Sequence, residues 1–303
     1  MDKVDNPSNQ TKPARTILVT GSGGQLGSEL RKIAPGYPEF AFIFTSHHDL
    51  PVENPEALSK FFSDQRIDYC VNCAAYTAVD KAESEPEKAF LINATAPGLL
   101  ARECMKLQAK FIHISTDYVY DGSIRRPLRE DDPVGTMNVY GASKLKGEQE
   151  VVRLNLDALI IRTSWVYSSF GNNFVKTMLR LFGEKEALNV INDQTGCPTY
   201  AGDLAEFIMA FVEFFERGNH FKGIVNFCNS GETTWYDFAR TIQEFAPKTA
   251  CVIHPVPTSQ YPTPARRPGY SVLDTSKIQG LLGMEIHFWK DSLQKCLKAL
   301  HVI

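Results

Sequence analysis

The sequence carries almost no net charge and has no long apolar run. Its 32 Lys and Arg nearly balance its 35 Asp and Glu, for a net charge of −3 over 303 residues, which gives no general electrostatic reason to bind nucleic acid or an anionic membrane. The most apolar segment, residues 207–215, is interrupted by Glu213 and is far shorter than the roughly 20 residues that cross a bilayer. These features predict neither a nucleic-acid-binding protein nor a membrane protein.

Disulfide bonds are not expected either. The seven cysteines are an odd number scattered along the chain, and no charged segment followed by an apolar one opens the sequence, so we predict a protein of the reducing cytoplasm. Cys70 and Cys73 fit a C-x-x-C pattern, but they lie in an apolar run typical of a strand, where residues three apart face opposite ways. We interpret them as packing thiols rather than as a redox pair.

Short β-branched runs alternate with helical patterns along most of the chain, which has enough length for about two domains. Residues 1–14 hold hardly any apolar side chains, which predicts a flexible tail. The predicted strands are 16–20, 41–45, 69–73, 111–115, 158–162 and 223–227, and the predicted helices begin near residues 24, 54, 86, 139 and 203. Strand–helix alternation predicts an α/β fold whose parallel sheet is covered by helices on both faces. The pair Pro97-Gly98 should kink or restart the helix that begins near Pro86.

Glycines dominate the turn after the first predicted strand. Gly21, Gly24 and Gly27 have a G-x-x-G-x-x-G spacing, and small residues there let the backbone approach a pyrophosphate that helix N-terminal amides then bind. A structural turn could use the same glycines, but the position between strand and helix is the context that dinucleotide binding requires. The predicted Rossmann-type, doubly wound arrangement has a dinucleotide-binding domain over 15–167, returns near 200–230, and a smaller interleaved, mainly substrate-binding lobe over 168–303.

The end of the second predicted strand carries Ser46 and two histidines rather than a carboxylate. An acidic residue usually binds the ribose 2′-hydroxyl of NAD there, whereas here none precedes Asp49. Ser46 could instead accommodate the 2′-phosphate of NADP, so the choice between NADH and NADPH stays open. The side chains of His47 and His48 should point in different directions because the residues are adjacent, and no third metal ligand is apparent in the sequence. Both points argue against a metal site.

Tyr140 and Lys144 are the strongest pair of reactive side chains. At i and i+4 they lie on one face of a predicted helix, and a nearby ammonium lowers the pKa of a phenol, which makes the phenol a usable proton donor or acceptor near neutral pH. An earlier strand ends in Ser115-Thr116, at the end of the sheet where ligands bind. Either hydroxyl could polarise a carbonyl group, although a surface pair and ordinary turn hydroxyls would look the same in isolation.

In order and spacing, the glycine turn, Ser115-Thr116, Tyr140 and Lys144 resemble the extended branch of the short-chain dehydrogenase/reductase superfamily. Longer segments are similar to the dTDP-4-dehydrorhamnose reductases, and together they cover nearly everything from Thr16 to Lys277. These segments are 72–83, 115–120, 138–148, 162–167, 172–174, 190–199, 266–268 and 271–275.

The resemblance implies that NADPH or NADH reduces the 4-keto group of dTDP-6-deoxy-L-lyxo-4-hexulose to give dTDP-L-rhamnose. It implies that Tyr140 donates the proton, that Thr116 hydrogen-bonds the C4 oxygen, and that Lys144 tunes Tyr140 and holds the nicotinamide ribose. The implied cofactor residues are Gly21, Gly24, Gln25, Leu26, Gly27, Ser46, Asn72, Ala74, Ala75, Tyr140 and Lys144, with Asn93 supporting the helix packing behind them. The implied substrate residues are Val79, Asp80, Thr116, Asp117, Trp165, Asn173 and Arg266.

Several alternatives stay open in the sequence. Mg²⁺ is associated with some members of the family, but no cluster of Asp, Glu and His predicts a site, and a homodimer is compatible with the apolar segments. A nucleotide-sugar epimerase or 4,6-dehydratase shares the glycine turn and the Tyr–Lys pair, yet Tyr118 rather than Glu follows Asp117. A noncatalytic subunit, as in the beta subunit of methionine adenosyltransferase, is disfavoured because Thr116, Tyr140 and Lys144 are all present.

Overall fold

The computed structural model describes residues 14–246 and 250–303, so all of the predicted tail except its last residue lies outside the described residues. The strands are β1 (Arg15–Thr20), β2 (Phe40–Thr45), β3 (Tyr69–Asn72), β4 (Lys110–Thr116), β5 (Leu159–Thr163), β6 (Val166–Tyr167), β7 (Ala187–Ile191), β8 (Thr195–Gly196), β9 (Thr199–Tyr200), β10 (Gly223–Asn226), β11 (Thr233–Thr234) and β12 (Val252–Val256). The helices are α1 (Gln25–Ile33), α2 (Pro55–Asp64), α3 (Val79–Ala82), α4 (Pro86–Phe90), α5 (Ala96–Leu107), α6 (Val139–Leu154), α7 (Phe174–Glu184), α8 (Ala201–Glu216), α9 (Trp235–Phe245), α10 (Ser276–Leu282) and α11 (Trp289–Ala299).

One parallel sheet has the strand order β10-β5-β4-β3-β1-β2. Because β2 and β3 lie on opposite sides of β1, the chain reverses its direction of travel across the sheet at β1. Open α/β sheets bind ligands at such a point, at the carboxyl ends of the strands. The prediction of a Rossmann-type, doubly wound α/β fold is confirmed.

Side chains along each strand alternate between the two faces of the sheet, and helices cover both faces. Ile17 and Val19 of β1 pack with α1 and α8, whereas Leu18 between them packs with α2, α5 and α6. Cys70 belongs to the second of these clusters and Cys73 packs against the first, so the two thiols face opposite ways as predicted. None of the seven cysteines, all of which lie in the described ranges, forms a disulfide bond.

The helix that begins at Pro86 changes character before Pro97. A π-helical segment, Leu91–Thr95, joins α4 to α5, and Pro97 occupies the first turn of α5. Proline is tolerated in a first turn because its missing N–H is not required there. The restart that the sequence predicted is therefore a π segment, and this segment lies against α6.

A second lobe is built around α7, α9 and α11. Their inner faces share one apolar cluster with a short sheet in which β12 pairs in parallel with β7. The chain returns to the main sheet between these elements, because β10 pairs with β5 and α8 packs on α1. Among the described residues, no helix has both the length and the apolar character needed to cross a membrane.

Candidate active site

The glycine turn between β1 and α1 brings two backbone segments into close contact. Gly21 has a φ of +64°, and a Cβ there would lie 2.5 Å from the Ala74 nitrogen, so only glycine fits. A Cβ on Gly27 would lie 2.6 Å from the Ser22 Cα, which shows how tightly α1 packs on the turn. The turn has the close backbone approach that a pyrophosphate site needs.

A cavity of about 540 Å³ lies beside this turn. It is lined by Gly21, Gly23, Gly24, Ser46, His47, Leu50, Val52, Cys73, Ala74, Ala75, Tyr76, Lys88 and Ile92. Glycine backbone at one end and apolar side chains at the other are complementary to the pyrophosphate and the adenosine of a dinucleotide. The residues present therefore fit a nicotinamide dinucleotide.

Two predicted cofactor residues support this cavity from behind. Leu26 is buried in the apolar cluster under α1. Asn72 is 1% exposed, and its Oδ1 accepts hydrogen bonds from the Thr20 hydroxyl at 2.7 Å and from the Ala74 nitrogen at 3.2 Å. Asn72 thus fixes the loop that lines the cavity.

Ser46 lies at the adenosine end of the cavity with a carboxylate beside it. Its backbone nitrogen and its hydroxyl both donate to Asp49 Oδ2, at 2.9 and 2.6 Å, and these bonds hold the pKa of Asp49 below its usual range. His47 lies 2.6 Å from a Glu53 oxygen, while the ring of His48 is 99% exposed. The histidines diverge as predicted, and the hydroxyl and carboxylate together are compatible with either NADH or NADPH.

Helix α6 begins at the site and carries Tyr140 and Lys144 into it. Asn138 caps the helix, because its Oδ1 accepts a hydrogen bond from the Gly141 nitrogen at 2.7 Å. A Cβ on Gly141 would lie 2.3 Å from the Tyr118 carbonyl oxygen, so the first turn of α6 packs directly on the segment after β4. This contact places the Tyr140 ring edge-on to that of Tyr118, with 5.7 Å between centroids.

The two hydroxyls at the end of β4 have different partners. Ser115 donates to Glu148 Oε1 at 2.5 Å on the buried side of the strand. The Thr116 hydroxyl instead lies near the phenol of Tyr140 and acts to lower its pKa. Of the two predicted candidates, the structure therefore brings Thr116 to Tyr140 and directs Ser115 elsewhere.

Burial has the largest effect on the pKa values of Tyr140 and Lys144. Loss of solvation raises the pKa of Tyr140 to about 12, although the nearby Thr116 hydroxyl opposes this rise. Loss of solvation also lowers the pKa of Lys144 to about 8, and its ammonium donates to the Ile114 carbonyl at 2.6 Å. The prediction that Lys144 brings the pKa of Tyr140 toward neutrality is therefore wrong for this geometry. A phenol that keeps its proton at neutral pH suits a proton donor.

A buried ion pair holds α6 at a fixed distance from the sheet. Glu148, one turn beyond Lys144, accepts hydrogen bonds from Arg162 of β5 at 2.9 and 2.6 Å. Arg162 also donates to the Tyr120 hydroxyl at 2.7 Å. Since both oxygens of Glu148 are bound, the helix cannot slide along β4 and β5 without breaking charged hydrogen bonds.

Asn93 joins the π segment to α6, as predicted. Its Nδ2 donates to the Ser143 hydroxyl and to the Tyr76 carbonyl, both at 3.0 Å. A Cβ on Gly147 would lie 2.0 Å from the Asn93 carbonyl oxygen. These contacts place α6 and the loop that lines the 540 Å³ cavity in one rigid arrangement.

A second cavity, of about 320 Å³, is bordered by both lobes. It is lined by Asp80, Phe174, Met178, Asn189, Val190, Ile191, Gln194, Trp235, Tyr261, Thr263 and Arg267. Arg267 donates to the two oxygens of Asp80 at 3.1 and 2.8 Å, and this pairing lowers the pKa of Asp80. Val79, beside Asp80 in α3, is half-buried. Sequence reasoning missed Arg267, because no periodicity in that loop indicates which arginine faces the cavity.

Trp235 lines this cavity and contacts Trp165. Their rings are stacked, with 3.6 Å between centroids and an interplanar angle of 10°. Trp165 has a φ of +47°, which is rare for a bulky residue, and a Cβ on Gly196 would lie 2.6 Å from its ring. Sequence reasoning missed Trp235, which lies 70 residues away and carries no local signal of this contact.

Asn173 and Gln25 link α7 to α1. Asn173 caps α7 by accepting from the Lys176 nitrogen at 3.1 Å, and it donates to Gln25 Oε1 at 2.9 Å. Gln25 in turn donates to the Val166 carbonyl at 3.3 Å. In this arrangement the amides of both residues bind protein groups at the junction between the lobes.

One cluster of potential metal ligands is present among the described residues, and its three members are Asp203, Glu206 and His287. Asp203 accepts hydrogen bonds from Asn229 and Ser292, and the Lys295 ammonium lies 3.1 Å from its other oxygen. Both carboxylate oxygens are thus engaged, and the ammonium repels a divalent cation. These residues do not fit the Mg²⁺ that the family resemblance raised.

The chain matches the family model described as the RmlD substrate binding domain over residues 15–302. It is 42% identical over 291 residues to a dTDP-4-dehydrorhamnose reductase of Escherichia coli K12, which covers 94% of this chain and 97% of that protein. Its fold is similar to that of a dTDP-4-dehydrorhamnose reductase from Clostridium acetobutylicum, with a TM-score of 0.88, 38% identity, and coverage of 94% and 99% of the two chains. A third similar protein is the dTDP-4-dehydrorhamnose reductase of Bacillus anthracis in complex with NADP, with a TM-score of 0.89, 33% identity and the same coverage.

Proposed function

Because the chain belongs to the RmlD substrate binding domain family, we propose that it is an NAD(P)H-dependent oxidoreductase that reduces the 4-keto group of dTDP-6-deoxy-L-lyxo-4-hexulose to give dTDP-L-rhamnose. One observation carries the proposal. Thr116 and Tyr140 meet at the carboxyl end of β4, and buried Lys144 follows one turn along α6. A hydroxyl, a protonated phenol and an ammonium at one strand end supply what the reduction of a carbonyl group needs.

The protein's part in the reaction is to place and protonate the carbonyl group. The reduced nicotinamide, when bound, supplies the hydride. As the C4=O double bond is reduced, Tyr140 gives its phenolic proton to the oxygen, and Thr116 stabilises the developing negative charge with a hydrogen bond. Lys144 has three N–H donors, of which one binds the Ile114 carbonyl. The others hold the nicotinamide ribose.

The substrate extends from this point into the 320 Å³ cavity. Its sugar lies between Tyr140 and Trp165, with Asp117 beside it, and its nucleotide lies along Trp235, whose ring lines the cavity. Arg266 binds the diphosphate. Three observations support that choice. Arg267 is neutralised by Asp80, whereas Arg266 is exposed and has no ion-pair partner among the described side chains. The Arg266 carbonyl also accepts a hydrogen bond from Asn138, the cap of α6 that carries Tyr140.

The test uses freshly generated dTDP-4-keto-6-deoxy-L-lyxo-hexulose with NADPH or NADH. Absorbance measures the consumption of the cofactor, and chromatography measures the formation of dTDP-L-rhamnose. Tyr140→Phe should lower kcat by about 10²–10⁴-fold, the usual contribution of a general acid, while the affinity for NADPH is kept. The matched control is Tyr118→Phe, which removes a phenol from the ring in contact with Tyr140 and should cost less than about tenfold. Equal losses in the two variants would exclude Tyr140 as the proton donor.

The same assay separates the alternatives. An epimerase would convert its substrate without net consumption of the cofactor, and a noncatalytic subunit would bind NADPH and turn over nothing. We further propose a cytoplasmic enzyme, which the absence of disulfides among its seven cysteines supports. The proposed homodimer is tested by light scattering, where a mass of one chain, 33.9 kDa, would exclude it.

A further inference from the structure

The Thr116 hydroxyl has one proton and three polar neighbours. Its Oγ1 accepts from the Tyr118 nitrogen at 3.2 Å, and it lies 3.1 Å from Asp117 Oδ1. The phenol of Tyr140 is its third neighbour. A hydroxyl offers one O–H and two lone pairs, and Tyr118 occupies one lone pair. The O–H and the second lone pair must therefore be divided between Asp117 and Tyr140.

The carboxyl group of Asp117 is buried without enough partners to stay ionised easily. It is 2% exposed, and its Oδ2 accepts no hydrogen bond from any residue in the described ranges. The groups that face it are the Ser271 hydroxyl, the phenols of Tyr118 and Tyr140, and the Cys228 thiol. None of these is a cation. Burial raises the pKa of Asp117 to about 7 against the opposing effect of the Ser271 and Thr116 hydroxyls.

The direction of the Thr116 hydroxyl depends on whether Asp117 holds a proton. An ionised carboxylate only accepts hydrogen bonds, so Thr116 must donate to it, and the free lone pair of Thr116 then accepts the proton of Tyr140. A protonated Asp117 can donate to Thr116 instead. Both lone pairs of Thr116 are then filled, and its O–H is free to point toward Tyr140 and the carbonyl oxygen beside it.

We propose that Asp117 is a positioning residue that directs the Thr116 hydroxyl to the C4 oxygen of the substrate when its own carboxyl group is protonated, and withdraws that hydroxyl when it is ionised. The proposal rests on the proposed function, because it uses the roles given there to Thr116 and Tyr140. It gives Asp117, which already lies beside the sugar in that function, a second role that acts through the Thr116 hydroxyl and makes the reduction sensitive to pH.

The kinetic test is the pH profile of kcat/KM from about pH 6 to about pH 9. The wild-type value should fall about tenfold per pH unit above the pKa of Asp117, near pH 7. Asp117→Asn cannot ionise, and its amide can donate to Thr116, so its profile should stay level until Lys144 loses its proton near pH 8. The control is Asp121→Asn, an exposed residue that accepts from the Ser123 nitrogen, and it should keep the wild-type profile. If Asp117→Asn keeps the wild-type break near pH 7, the proposal is overturned.

A second readout does not need turnover. The folded-state pKa of Asp117 lies above its unfolded value, so the stability of the wild type relative to Asp117→Asn should fall as pH rises from about 4 to about 7 and then level off. Thr116→Val removes the hydroxyl that stabilises the carboxylate, raises the pKa of Asp117 further, and should extend this fall of Tm to higher pH. An unmoved end point in Thr116→Val overturns the coupling of the two residues. If Thr116→Val shifts to higher pH the point at which the fall in stability ends, the coupling is supported whether or not the wild type reduces the substrate. A wild type that reduces nothing would refute only the proposed function.

Discussion

Replacement of Glu148 by Gln should destabilise the protein by about 3–5 kcal/mol, the range seen when one partner of a buried ion pair is removed. Glu148 is 3% exposed and Arg162 is 2% exposed. The carboxylate accepts two hydrogen bonds from Arg162 and one from Ser115. Gln keeps the shape but supplies no charge and accepts through one oxygen only. The guanidinium cannot lose its proton in a protein, so its charge stays buried without a counter-charge.

The measurement is urea unfolding of the wild type, Glu148→Gln and Glu150→Gln. A loss of about 4 kcal/mol corresponds to a fall in Tm of roughly 6 °C for a chain of this size. Glu150 lies on the same helix, its side chain is 19% exposed, and it pairs with exposed Lys146 and Arg153, so the same change there should cost less than about 1 kcal/mol. Equal losses in the two variants, with an unchanged denaturant slope, would refute the reasoning from burial.

Close packing, internal charge neutralisation and hydroxyl direction each give a further measurable outcome. Gly147→Ala should lower stability by about 1–3 kcal/mol and reduce kcat, because a Cβ there would lie 2.0 Å from the Asn93 carbonyl oxygen; thermal melts and turnover check both effects. Dialysis against EDTA should leave Tm and the reduction rate unchanged, since protein donors already bind both oxygens of Asp203; a loss that Mg²⁺ restores would contradict this. Ser115→Ala should lower Tm but keep more activity than Thr116→Val, and parallel assays of the two variants compare them.

Local sequence signals were sufficient to predict the glycine turn and the common helix of Tyr140 and Lys144. The glycine turn follows a strand and opens a helix, and Gly21 adopts the positive φ that explains its presence. Tyr140 and Lys144 are four residues apart on one helix, so their common face follows from helical geometry. These features depend on neighbours within a few residues, which is why a single sequence predicts them.

The surroundings of the 320 Å³ cavity depend on contacts between distant segments. The Asp80–Arg267 pair joins residues 187 apart, and Trp165 meets Trp235 across two lobes. Nothing in either local pattern specifies such a pairing. The sequence also does not show how deeply a side chain is buried, because burial depends on the same distant contacts. The i, i+4 spacing predicted that the Lys144 ammonium acts on Tyr140, whereas burial of both groups controls their pKa values.

Trp165 shows how the fold holds the two lobes together. Ser164 donates to the Cys197 carbonyl at 2.6 Å, and the Trp165 carbonyl accepts from the Thr199 nitrogen at 3.3 Å. These bonds hold Trp165 in a left-handed conformation that costs about 1–3 kcal/mol. Trp165 follows β5 of the main sheet in the chain, yet its ring packs on Gly196 and Trp235 of the other lobe. The lobes therefore cannot separate without breaking the stack, and the strain is concentrated in the residue that stacks on Trp235, whose ring lines the 320 Å³ cavity.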